Sequence, residues 1–142
     1  MGEALNGKCL CGACRLTAVP QRMTSAACHC EMCRHWTGGV LMTVDCGDTL
    51  AIVDGSPIGV YRGSEWGERL FCKECGSSLV WRTQDGKHNQ VSVHVFENPG
   101  DFPLKLEVFH DCKPESYAFA NETKKMTEAE IFAMFAPPGG QA

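Results

Sequence analysis

Cationic charge is scarce in this 142-residue sequence. Thirteen Lys and Arg against seventeen Asp and Glu give a formal charge of −4 and a pI of about 5.7. Nucleic-acid binders ordinarily present a basic face, so nucleic acid is not expected as a partner. No run approaches the roughly 18 apolar residues of a membrane span, so no membrane partner is expected. Met1–Lys8 is polar and lacks an apolar stretch of signal-peptide type. These absences lead to the expectation of a soluble cytoplasmic protein. There is no repeat, linker or low-complexity segment, and nothing bears on oligomeric state. The length fits one domain over residues 1–142, and 44% apolar residues suffice for a core.

Cysteine is abundant instead. Seven of the ten thiols fall in three clusters: Cys9-Leu10-Cys11, Cys28-His29-Cys30-Glu31-Met32-Cys33 and Cys72-Lys73-Glu74-Cys75. In a reducing compartment such thiols stay free or bind metal. C-x-C and C-x-x-C spacings make poor disulfides but good clips for a soft divalent ion, usually zinc. Gly12 follows Cys11 and Gly76 follows Cys75, giving each pair a tight turn that aims backbone N–H groups at sulfur. Cys9, Cys11, Cys72 and Cys75 therefore read as one closed, structural, four-sulfur site.

The middle trio has no such glycine, and Arg34 follows it. Cys28, Cys30 and Cys33 supply three thiolates, and three ligands with an open position is the layout of a catalytic zinc. Arg34 is expected to offset the net negative charge of a zinc trithiolate. The alternative is a second closed site completed by His29, His35, Cys14 or Cys46. Cys14 shares a strand face with Leu16 and Ala18 and reads as a packed thiol. Cys46 and Cys112 have no partner at ligand spacing. They are the only thiols free for a methionine-sulfoxide reductase, another reading that zinc knuckles prompt.

Short strand-like segments dominate the rest. Cys14–Ala18 and Gln90–Val95 alternate, and Val40–Val44, Leu50–Val53, Ile58–Tyr61, Ser78–Trp81 and Leu104–Phe109 are further apolar runs between Gly, Asp, Asn and Pro clusters. Glu31–Trp36 fits a single helical turn. Thr127-Glu128-Ala129-Glu130 has capping-box form and opens a helix over about 127–136, which Pro137-Pro138 ends before a frayed 139–142 tail. The expected fold is mostly β with one short C-terminal helix.

These motifs resemble the family of glutathione-dependent formaldehyde-activating enzymes, to which centromere protein V is similar in the same region. The resemblance rests on Gly7-Lys8-Cys9-Leu10-Cys11-Gly12, Cys28–Arg34, Tyr61-Arg62-Gly63-Ser64 and Arg69–Ser77, and it covers about residues 5–110. It implies a β-tent fold of folded antiparallel sheets around zinc. It also implies that Cys9, Cys11, Cys72 and Cys75 hold a structural zinc and Cys28, Cys30 and Cys33 a catalytic one; if that second zinc is labile, a purified sample would show only the first. Lys113-Pro114 and Tyr117 look like late family positions, Glu107-Val108-Phe109 stands where a histidine is common, and the stretch from Asn121 has no counterpart.

The implied activity is a carbon–sulfur lyase that condenses a zinc-bound glutathione thiolate with formaldehyde to S-hydroxymethylglutathione. Glutathione carries two carboxylates, so Arg34, Arg62, Arg69 and Lys73, which flank the motifs, are candidate substrate-binding cations. Alternatives are an enzyme of the same fold acting on another small thiol or electrophile, and a non-catalytic zinc module that binds a protein.

Overall fold

The computed structural model describes residues 2–135. In chain order the elements are β1 (Leu5–Lys8), β2 (Arg15–Ala18), β3 (Ser25–Cys28), α1 (Glu31–Thr37), β4 (Leu41–Asp45), β5 (Ala51–Ile52), β6 (Ile58–Tyr61), β7 (Gly67–Cys72), β8 (Ser78–Thr83), β9 (Asn89–Ser92), β10 (Leu104–Val108), β11 (Lys124–Met126) and α2 (Glu128–Phe135). Strands β1, β2 and β5 form a small sheet. The large sheet runs β11-β10-β3-β4-β9-β8-β7-β6. The fold is mostly β, as expected.

Three details differ from the sequence reading. Pairing is antiparallel except at β10, which runs parallel to both β3 and β11. There are two α-helices rather than one, because α1 extends to a second turn. Cys30 caps its start by accepting the Cys33 amide, and Gly38 ends it in the left-handed region (φ 78). The strand expected to reach Val95 stops at Ser92, and Val93–Val95 coils into a 3-10 turn. Both Val93 and Val95 remain buried, so the apolar pattern served burial rather than pairing.

The core lies between the sheets, where Leu16, Val44, Leu70, Leu79, Val80, Val91 and Phe96 pack with Cys9, Cys14, Cys46 and Cys72. Cys14 shares its buried face with Leu16 and Ala18, as the alternation requires. The capping box of α2 forms reciprocally: the Glu130 amide donates to Thr127 Oγ1 (3.2 Å) and the Thr127 amide to Glu130 Oε1 (2.8 Å). Pro137, Pro138 and the tail at 139–142 lie outside the described residues. No helix among the described residues is long and apolar enough to cross a membrane.

Candidate metal centres

Two turns of matching build bring the first four thiols together. Each closes on itself: the Cys9 amide donates to the Cys14 carbonyl (3.1 Å) and the Cys72 amide to the Ser77 carbonyl (3.0 Å). Gly12 (φ 81) and Gly76 (φ 80) occupy the left-handed position each turn needs. Amides then point at sulfur, from Cys14 to Cys9 Sγ (3.3 Å) and from Glu74 and Cys75 to Cys72 Sγ (3.3 and 3.4 Å). Ser77 Oγ accepts the Leu10 amide at 3.0 Å and ties the two turns to each other.

The sulfurs of Cys9, Cys11, Cys72 and Cys75 all lie within 4.8 Å of one another and could hold a metal ion. Sulfurs about 2.3 Å from a tetrahedral zinc stand about 3.8 Å apart. The Cys9–Cys11 and Cys11–Cys72 separations are 3.6 and 3.8 Å. This donor set, four soft sulfurs at tetrahedral spacing, fits zinc. Ser77 pulls Cys75 down to about 5, whereas at Cys11 the lowering by the Ala13 amide is outweighed by the neighbouring thiols, Cys9 foremost, and the thiol is pushed up to about 12.

Cys28 at the end of β3, Cys30 at the cap of α1 and Cys33 within α1 form the second group, again within 4.8 Å. Cys33 is buried and the other two are half-buried. Contacts from Cys28 and Cys33, with the Cys33 amide and Arg69 behind them, hold the Cys30 thiol far below its ordinary range. Cys28 is pushed up by the same sulfur contacts. Among the described residues no fourth protein ligand joins this trio. His35 is exposed and faces Glu31 (3.8 Å), Cys14 and Cys46 are buried in the core, and His29 points away. Three sulfurs and no fourth suit a zinc ion with one exchangeable position.

The charge beside this trio is not the one expected. Arg34 turns its Nε to the His29 carbonyl (3.1 Å). It is Arg69 on β7, nearly buried, that donates from Nη1 to Cys33 Sγ (3.5 Å) while stacking over Trp36 at 5.0 Å. The other proposed cations are placed elsewhere. Arg62 pairs with the buried Glu68 (3.0 Å), which also binds Arg82 (2.8 Å). Lys73 lies exposed between Cys72 and Glu74, at the first group. Arg34 lines an open pocket of about 410 Å³ together with His35, Gly38, Gly39, Ser116 and Tyr117.

The sequence reading missed a polar chain behind the trio. His29 is wholly buried; its Nε2 lies 2.8 Å from Glu107 Oε1 and its Nδ1 2.8 Å from the Tyr117 hydroxyl. Burial keeps the imidazole below its ordinary range despite Glu107. The carboxylate only accepts, so Nε2 carries the proton and Nδ1 accepts from Tyr117. The signal available was strand alternation: with Cys28 and Cys30 on one side, His29 must face the other. Cys46 and Cys112 show no nucleophile's environment, since burial foremost pushes them to about 12 and about 11.

Comparison with known proteins agrees with the arrangement. A protein of Schizosaccharomyces pombe described as an uncharacterised lyase is 32% identical over 126 residues, 88% of this chain and 92% of that protein. A crystal structure of a Rhodobacter sphaeroides protein shares the fold, with a TM-score of 0.59 at 22% identity over 71% of this chain and all of that one. The profile of the glutathione-dependent formaldehyde-activating enzymes matches residues 4–119, a span that takes in both cysteine groups, the arginine under Cys33 and the tyrosine on His29, and the chain belongs to that family.

Proposed function

We propose that this protein is a zinc-dependent carbon–sulfur lyase that joins the thiol of glutathione to formaldehyde, giving S-hydroxymethylglutathione, and catalyses the reverse cleavage. The observation that carries this reading is the second cysteine group: three thiols, a buried counter-charge and no fourth protein ligand among the described residues. Family membership and the lyase description of the fission-yeast relative support the reaction class.

Cys28, Cys30 and Cys33 would hold a zinc ion, which would supply the Lewis acidity that keeps a substrate thiol deprotonated near neutral pH. The substrate sulfur forms a bond to the formaldehyde carbon, the carbonyl π pair moves to oxygen, and that oxygen takes up the proton the thiol released. Arg69 balances the charge of the trithiolate from beneath. Arg34, whose terminal nitrogens have no hydrogen-bond partner among the described residues, presents a fork for a carboxylate in the pocket with Ser116 and Tyr117. Cys9, Cys11, Cys72 and Cys75 would hold a second, structural zinc, joining the N-terminal turn to the β7–β8 turn.

The test is zinc-loaded protein in exchange spectroscopy of glutathione with formaldehyde. Acceleration above the uncatalysed rate is expected, and protein with two zinc ions that gives none overturns the assignment. One observation favours a second reading, an enzyme acting on another small thiol. Arg62, Arg69 and Lys73 are committed or remote, so the pocket offers Arg34 to a ligand that has two carboxylates. Faster exchange with a thiol bearing a single carboxylate would support it.

A further inference from the structure

The family profile ends at residue 119, but the polar chain behind the second centre continues past it. Glu107 is 2% exposed, and its carboxylate is shared between two parts of the chain. Oε1 accepts from His29 Nε2, and Oε2 accepts from Thr123 Oγ1 at 2.5 Å. Lys125 Nζ stands 3.8 Å from Oε2, and His110 Nε2 stands 4.0 Å from Oε1. Thr123 precedes β11, and β11 pairs with β10 so that Lys125 lies opposite Glu107.

Helix α2, which follows that strand directly, docks on the segment after β10. Ile131 is buried, the Phe132 ring meets Phe109 edge-on at 5.8 Å, and the Glu128 amide donates to Asp111 Oδ1 at 2.9 Å. Phe109 itself sits in the left-handed region (φ 54). A bulky residue stays there only when its surroundings hold it, and such strain clusters at functional sites. It lies two residues from Glu107.

A buried carboxylate that loses a donor must move or draw in water. Any shift of Glu107 passes to His29, which is joined on either side to a thiol of the trio. We propose that the β11–α2 unit is a working part of the second metal centre. Thr123, assisted by Lys125, is a positioning residue: it fixes Glu107 and, through His29, keeps Cys28 and Cys30 in ligating geometry. This rests on the reading of Cys28, Cys30 and Cys33 as a zinc site. Loss of a partner bonded directly to a ligand typically weakens a metal site about 10- to 100-fold, and Thr123, which acts through Glu107 and His29, belongs at the low end of that range.

The test is chelator competition on the full chain with both sites zinc-loaded, following the two ions separately. In Thr123→Val the second centre is expected to bind zinc more weakly, by up to about tenfold. The four-cysteine centre should be unchanged, and Thr123→Ser should restore wild-type affinity. Wild-type affinity at both centres in Thr123→Val overturns the proposal, as does equal weakening of both, which signals general loss of structure. Should Thr123→Val not fold, Lys125→Met carries the same test: selective weakening of the second centre supports the assignment, and no change overturns it. A wild-type chain that binds one zinc sinks the reading of the site itself. Two ions held alike by wild type and variant sink only the positioning role.

Discussion

Replacing Arg69 by methionine removes a charge while keeping most of the volume. The residue is 5% exposed, too little for solvent to take over the role of its charge. Three thiolates and one divalent ion would sum to a charge of −1, which Arg69 is placed to neutralise. At the 3.5 Å between Nη1 and Cys33 Sγ, and an effective dielectric of about 20, opposite unit charges attract by roughly 5 kcal/mol. Relaxation and entering water recover part of this, so a net loss of about 2.5 kcal/mol is expected, about 60-fold in metal affinity. Arg69→Lys keeps the charge but loses the planar fork and its stacking on Trp36, and should fall between the two. Cobalt titration, read from the thiolate-to-metal charge-transfer bands, measures the second centre with the four-cysteine centre as internal reference. An Arg69→Met protein that binds cobalt there within twofold of wild type refutes the charge argument.

Three further outcomes are expected. Burial raises the Glu68 carboxyl but Arg82 and Arg62 lower it more, so it lies below its ordinary range. Its contribution is full above the reference value of 4.5 and is lost as pH falls through the folded value, so the urea-unfolding gap between wild type and Glu68→Gln should narrow on acidification; a pH-independent gap counts against the ion-pair reading. Stripping zinc from the four-cysteine centre should unfold the chain in circular dichroism, because a structural zinc supplies about 10 kcal/mol against a typical stability of about 5–15 kcal/mol, and a native spectrum after full chelation would contradict the clip. Gly76→Ala should destabilise by about 1 kcal/mol in urea titration, from its positive φ alone since a Cβ there meets nothing within 4 Å, whereas Gly39→Ala, equally open and without positive φ, should be neutral.

The cysteine groups were legible because ligand spacing and the following glycines are local signals, as was the capping box of α2. Strand β2 was legible because one face is buried and the other is not. Strand β7 was not, because Gly67–Leu70 is buried on both faces, charged residues included, which erases alternation. Strands β3 and β11 were missed for other reasons: Ser25-Ala26-Ala27 is small throughout, and Lys124-Lys125 is an exposed edge. The misassigned counter-charge has the same origin. Arg34 is next to Cys33 in sequence, but a helical neighbour points elsewhere, and Arg69 arrives from 36 residues away through sheet pairing that no local pattern encodes.

Strand β7 serves both centres. Cys72 and Leu70 face the core, and Arg69 faces Cys33 and Trp36 on the opposite side. Three residue steps along the strand take Arg69 to Cys72, about 10 Å, and the intervening Leu70 and Phe71 offer no sulfur. The strand acts as a partition between the two cysteine groups across which no thiol ladder runs, so ions held there would exchange with solvent independently. An ion held by Cys28, Cys30 and Cys33 would then be able to leave and return while an ion on the four-cysteine group kept the chain folded.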